Sequence, residues 1–317
     1  MIWLRALIAL VALWAGAGAA QAGCTVSSPT MRFANGSTYD VRAGSVASIN
    51  GPAGLACTGS VLSVLGSGYA RATMTSANGF LLKGPGGSTI PFAVAADSNG
   101  TFGFTQGGTI NYFNPTLLSL ANILFPNSFS PALYARVTAS PNIPPGVYSD
   151  TLTVQWSWKV CTGLDVLGLV CVGYETSTGT STIPISLTVG ADCRISAPNI
   201  SFGSAALVSQ FTAVNQAVLI DCSLGATYKV AFSGGSAGAA RPWRTMSDGA
   251  GHVLQYNIYR ADGATIWDET NPLVSSVAGT GATTPAQIQN YVAKINPSQP
   301  TPPAGAYADI VSVVISF

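Results

Sequence analysis

The sequence predicts an all-β chain of two β-sandwich domains in tandem, the C-terminal one lacking its last strand. Three observations lead there. One pattern is stated twice, strand alternation is common while helical periodicity is nearly absent after the first residues, and the second statement of the pattern stops where a further strand is due. The repeats open on Cys24-Thr-Val-Ser-Ser-Pro29-Thr-Met-Arg-Phe33 and Cys193-Arg-Ile-Ser-Ala-Pro198-Asn-Ile-Ser-Phe202. They close on Pro144-Pro145-Gly146-Val147-Tyr148-Ser149-Asp150 and Pro302-Pro303-Ala304-Gly305-Ala306-Tyr307-Ala308-Asp309. After the aspartate each runs into a strand. The first strand continues into more protein, and the second ends at Phe317.

Residues 1–22 read as a secretory signal. Arg5 supplies the positive end, Ala6 to Trp14 the apolar stretch, and Ala20-Gln21-Ala22 a small-x-small cleavage site. The apolar stretch is too short for a membrane span, which needs roughly 20 residues. Lipidation of Cys24 is a weaker reading, because Gln21 stands where an aliphatic residue is wanted and the repeat gives Cys24 a counterpart in Cys193. The expected units are residues 23–190 and 191–317, with the boundary near Gly190-Ala191-Asp192.

Six cysteines in an exported chain point to disulfides. The repeat suggests the pairing: Cys57 and Cys222 each follow an apolar segment at a similar distance from the first cysteine of their repeat. Cys24 is thus paired with Cys57 and Cys193 with Cys222, leaving Cys161 with Cys171 to staple a short hairpin. A metal site is disfavoured, since there is no C-x-x-C spacing and His252 is the only histidine. No cofactor is expected.

Charged residues make up 8% of the chain and the net charge is +1, so no basic stripe is present to neutralise phosphates and nucleic-acid binding is not expected. The hydrophobic fraction is too high for disorder. Abundant Gly, Ser, Thr, Ala and Val fit many short strands joined by turns.

Alternation is clearest where Leu152, Val154, Trp156 and Trp158 face one way and Thr151, Thr153, Gln155 and Ser157 the other. The counterpart sets Val311, Val313, Ile315 and Phe317 against Ile310, Ser312, Val314 and Ser316. Further strands are expected at Ser60–Leu65, Phe92–Ala95, Tyr134–Ala139, Ala217–Asp221, Thr227–Phe232 and Val253–Tyr259. Turns are expected at Asn78-Gly79, Asn99-Gly100, Asp248-Gly249 and Asp262-Gly263. Roughly six or seven strands per half suit an immunoglobulin-like sandwich.

Before the boundary lies Thr182–Val189, where Ile183, Ile185, Leu187 and Val189 alternate. This reads as the seventh strand of the first domain, supplied by the chain itself, with Pro184 marking an edge or bulge. The second domain has no such segment. A sandwich without its last strand exposes an apolar groove and an open edge that invites strand addition, and Val311, Val313, Ile315 and Phe317 are the residues expected to face the incoming strand or a chaperone.

The residues from Cys193 through Phe202-Gly203-Ser204 resemble the spore coat protein U domain. So do Cys222 before Tyr228, Arg244-Thr-Met246, Leu254-Gln-Tyr256-Asn-Ile-Tyr259, Trp267, and Gly305-Ala-Tyr307-Ala-Asp309. Residues 24–158 match more loosely, through Cys57 and Arg71-Ala-Thr-Met74. That domain is the pilin module of archaic (Csu-type) chaperone–usher pili. The resemblance implies donor-strand complementation: a periplasmic chaperone lends a strand, and the adjacent pilin subunit's N-terminal extension replaces it at the outer-membrane usher. Only Gly23 would precede Cys24 after cleavage, so the chain is expected to accept a strand and donate none. That places it at the fibre tip on the cell surface and resembles the layout of two-domain tip adhesins.

Two apolar segments are candidate contacts with an abiotic or host surface. In Asn114–Phe129, residues Leu117, Leu118, Leu120, Ile123, Leu124 and Phe125 form either a plug on the end of the sandwich or an exposed finger. In Cys161–Cys171, a disulfide would hold Leu164, Val166, Leu167, Leu169 and Val170 in a rigid hairpin too short to bury them against itself. Phe80-Leu81-Leu82 reads as core. Catalysis is not expected: nothing indicates a cleft holding a carboxylate pair, and His252 reads as a turn residue. The leading reading is a non-enzymatic tip adhesin attaching through apolar loops and supporting biofilm formation. The alternatives are a structural or initiator subunit, a secreted coat protein, and a lectin, which the aliphatic loops disfavour.

Overall fold

The computed structural model describes residues 23–58, 67–120, 128–140, 142–166, 170–281 and 287–317. The signal segment and the strand expected at Ser60–Leu65 lie outside the described residues. The chain is all-β, two sandwiches in tandem. The first half contains β1 (Cys24–Val26), β2 (Met31–Arg32), β3 (Gly36–Ser37), helix α1 (Thr38–Ala43), β4 (Ile49–Pro52), β5 (Leu55–Thr58), β6 (Tyr69–Ser76) and β7 (Leu81–Lys83). It continues with β8 (Thr89–Ala95), β9 (Gly108–Asn111), helix α2 (Pro115–Leu120), β10 (Ser128–Phe129), β11 (Ala132–Val137), β12 (Gly146–Val166) and β13 (Val170–Gly190). The second half contains β14 (Cys193–Ser196), β15 (Val214–Cys222), β16 (Lys229–Phe232), β17 (Arg244–Ser247), β18 (Val253–Arg260), β19 (Leu273–Val274), β20 (Gln287–Ile295) and β21 (Val313–Ser316).

Each half has its own core. Burial follows the alternation in the sequence, because successive side chains of a strand point to opposite faces. The first core gathers Leu55, Met74, Leu82, Leu133, Leu152, Trp156 and the inward side chains of β13. The second gathers Val218, Ile220, Tyr228, Phe232, Ile258, Trp267 and Tyr291. Sheet β1-β5-β10 faces the large sheet β2-β13-β12-β7-β8-β11-β4 in the first half. In the second, β14-β15-β20-β18-β17 faces β19-β16-β21. The predicted turns at Gly79 and Gly249 have φ of 68° and 77°, a left-handed conformation that glycine adopts without steric cost.

The sequence repeat is a structural repeat. Cys24 stands opposite Cys57 and Cys193 opposite Cys222, with disulfides at Cα separations of 4.0 and 4.1 Å. Both Pro-Pro motifs fold back through one hydrogen bond: Tyr148 donates to the Pro144 carbonyl and Tyr307 to the Pro303 carbonyl, each at 2.7 Å. Arg244, fully buried, donates to the carbonyls of Phe232, Ser233 and Trp267 and to the Asn257 side chain. These four acceptors offset the desolvation of its charge in the core.

The halves meet at α1. Ser37 and Asp40 form a reciprocal capping box and Gly44 closes the helix in the left-handed region. Tyr39 donates to the Asp221 carbonyl, and Arg194 lies 4.3 Å over its ring. Thr38 hydrogen-bonds Ser223, and Arg42 reaches Asp221 at 3.7 Å and the Gly281 carbonyl. Burial and the Asp221 contact raise the Tyr39 hydroxyl to about 12, so it is a neutral donor at physiological pH.

Candidate functional site

The two sandwiches differ at one flank. In the first, β13 lies antiparallel along β12 from Gly146–Val189 outward, and its other flank meets β2 and β3 in parallel at Ile185–Met31 and Val189–Gly36. Ile183, Ile185 and Leu187 are fully buried and Val189 nearly so. Pro184 sits beside the partly open flank, where its missing N–H costs no ladder bond. In the second half, β21 pairs with β16 and, among the described residues, with no strand on its other edge. The stretch equivalent to β2, around Ile200–Phe202, forms no ladder there.

The missing cover shows in burial. Leu152, Val154, Trp156 and Trp158, on β12 beside β13, are 0–4% exposed. Their counterparts Val311, Val313 and Ile315 are half-buried, and Phe317 is 65% exposed. In the same sandwich a cavity of about 580 Å³ is lined by Phe202, Val208, Phe211, Met246, Leu254 and Tyr307, the last of these on the segment leading into β21. The site is therefore an apolar trough beside a row of unpaired backbone groups, suited to an extended segment with alternating apolar side chains.

The second feature is the far end of β12 and β13. β6 accompanies β12 only as far as Lys159, opposite Tyr69. Beyond it the two strands pair with each other from Val160–Glu175 to Val166–Val170, with a bulge between Cys161 and Leu164. The ribbon is fixed at its root: Glu175 accepts from Trp158 Nε1 at 3.0 Å and from the Cys24 amide at 3.2 Å. It is braced by Cys161–Cys171, whose Cα atoms are 5.8 Å apart. Leu164, Val166 and Val170 belong to this ribbon, whereas Leu167 and Leu169 lie outside the described residues.

The other apolar candidate is corrected in part. Leu117 is fully buried in the first core, and Leu118 is half-buried. The reason is α2: the Asn114 side chain accepts from the Thr116 amide and its carbonyl from the Leu118 amide. This starts a short helix that puts Leu117 into the cluster with Tyr112, Phe129 and Trp156. Leu117 is thus a plug, not a finger. Leu120 closes α2, and Ile123, Leu124 and Phe125 lie outside the described residues. Leu117→Ser is expected to lower unfolding free energy by about 3 kcal/mol in denaturant titration, as for other buried Leu truncations. A variant as stable as the parent would return Leu117 to the surface.

Leu82 is buried and Phe80 packs on Phe92, as core residues do. His252 Nδ1 lies 2.6 Å from Asp248 in an exposed turn, and Trp267 is buried with its Nε1 donating to the Val230 carbonyl.

The sequence matches the Spore Coat Protein U domain over residues 11–155 and again over 179–314. The chain belongs to that family. Its fold is similar to the crystal structure of the CsuC-CsuE chaperone-tip adhesion subunit pre-assembly complex from archaic chaperone-usher Csu pili of Acinetobacter baumannii. Identity there is 24% and the TM-score 0.66, over 93% of this chain and 100% of that one. Looser likenesses are the CupB6 tip adhesin from Pseudomonas aeruginosa, at 10% identity and TM-score 0.32 over 93% and 94% of the chains, and CfaE, the adhesive subunit of CFA/I fimbria of enterotoxigenic Escherichia coli, at 11% and 0.31 over 92% of each. No curated protein matches the sequence.

Proposed function

We propose that this chain is the tip adhesin subunit of a chaperone–usher pilus. The carrying observation is the pairing of one sandwich closed by its own β13 with a second whose β21 edge is open among the described residues. The first half, residues 23–190, acts as the receptor-like domain. The second, residues 191–317, is the pilin domain whose trough takes a strand from a periplasmic chaperone and then from the adjacent subunit at the outer-membrane usher. Export to the periplasm and display at the cell surface follow from that route. The similar fold of the CsuE subunit supports the reading.

Attachment is assigned to the ribbon tip, with Leu164, Val166, Leu167, Leu169 and Val170 as the contact. Each aliphatic side chain fully removed from water contributes about 1.5–3 kcal/mol, and a disulfide-braced ribbon loses little freedom on contact. Fibres carrying Ser at these five positions should still assemble but should lose attachment to an apolar surface, with little change on a hydrophilic one. Reduction of Cys161–Cys171 should weaken attachment in the same direction. Fibres that attach like the parent would place adhesion elsewhere and favour a structural subunit.

A further inference from the structure

A second cavity lies on the flank of the first sandwich, lined by no residue of the trough or of the β12–β13 ribbon. It measures about 830 Å³. Its floor is the outer face of β8 and β11, where Ala93, Ala95, Tyr134 and Arg136 stand. One wall is the loop from Asp97 to Gly103, and the other carries Arg32 of β2 with Ser48 and Asn50 at β4. The loop is held rigidly: the buried Asp97 carboxylate accepts from the amides of Thr101 and Phe102 at 3.1 and 2.7 Å. Asp97 is therefore occupied with its own backbone.

The two guanidinium groups are not so occupied. Arg42 pairs with Asp221 and Arg71 lies over Tyr69. Arg32 and Arg136 have no ion pair, hydrogen bond or ring contact among the described residues, although both line this one cleft. Arg136 is nonetheless positioned, since Gly100 of the loop sits over it and a Cβ there would lie 3.9 Å from its Cζ. Small residues at Ala93, Ala95, Gly100 and Gly103 leave the room empty.

We propose that this cleft binds a carboxylate-bearing saccharide. A guanidinium presents a planar fork of N–H donors that matches a carboxylate in two parallel hydrogen bonds. The half-buried Tyr134 supplies an aromatic body with a polar tip. Ser48, Asn50, Ser98 and Asn99 offer hydroxyl and amide groups for ring hydroxyls. The cleft stands independently of the ribbon, so each can fail without the other.

The test is a titration of the full chain with D-glucuronate, D-glucose and inorganic phosphate, read by ligand-observed NMR. Glucuronate should bind with a roughly millimolar constant, as small ligands in open sites do, and glucose and phosphate at least about tenfold more weakly. Arg32→Gln and Arg136→Gln should each weaken glucuronate about tenfold, and Arg136→Lys should restore only part of the loss. Both arginines are exposed and unengaged, so melting temperature should not move. Added salt should weaken glucuronate binding to the unaltered chain, which gives the same reading without substitution. Equal binding of glucose would overturn the carboxylate, tighter binding of phosphate the saccharide. Undiminished binding by the double variant, or none to the parent, would overturn the site.

Discussion

Leu187→Asp is expected to unfold the first sandwich. Leu187 is fully buried, opposite Tyr148 on β12, with Ile185 and Val189 beside it on the same face of β13. Truncating such a side chain costs about 2–5 kcal/mol, and a carboxylate placed there has no partner to offset its desolvation. The sum, on the order of 5 kcal/mol or more, reaches the total stability of many domains. Ile185→Asp should behave alike. Thr188→Asp is the control, because Thr188 lies on the same strand but points to solvent, and it should change stability by no more than about 0.5 kcal/mol. Denaturant unfolding of the full chain distinguishes them. If Leu187→Asp and Thr188→Asp unfold at the same concentration as the parent, β13 is a linker lying on the sandwich and not part of it.

A peptide copying residues 179–189 is expected to stabilise the second sandwich. The internal repeat supplies the register. Ile183 stands opposite Leu152, Ile185 opposite Asp150 and Leu187 opposite Tyr148; the matching positions in the second half are Val311, Asp309 and Tyr307. The peptide would cover Val311, Val313 and Ile315 and pair the free edge of β21. A ligand that binds only the folded state at a thousand times its dissociation constant adds about 4 kcal/mol. In a melting experiment on the full chain, the lower of two transitions should rise with peptide concentration. A peptide with Asp in place of Ile183, Ile185, Leu187 and Val189 should leave it unmoved. The same rise from both peptides, or none from either, would contradict an accepting trough.

Much of the fold was legible because it rests on period-two alternation and on a repeat. The inward faces of β12 and β13 could be read residue by residue, and so could the contrast with Val311 to Phe317. The ribbon was legible as a cysteine pair around aliphatic residues, but its reach was not, since it depends on where β6 stops. Leu117 stayed open between plug and finger because a short helix opening at Pro115 has no strand period to betray which side faces the core. α1 did leave a signal: Ser37-Thr-Tyr-Asp40 is a capping box and Gly44 its stop. The cleft of Arg32 and Arg136 left none, because its residues come from β2, β4, β8 and β11 and meet only through the folding of the sheet.

The continuity of β13 has a mechanical meaning. It runs unbroken from Val170 at the ribbon to Gly190, and after only Ala191 and Asp192 the chain enters β14. A strand already spans about 3.3 Å per residue, close to the roughly 3.6 Å limit of a taut chain. A pull applied at the ribbon tip and resisted through the second sandwich travels along this single covalent line. There is almost no slack to pay out, so the first sandwich need not unravel to carry the load. A pull applied at α2 has no such line and must pass through the packing of the core. The tip of β12 and β13 is thus the place on this molecule where tension can be taken up without spending the fold.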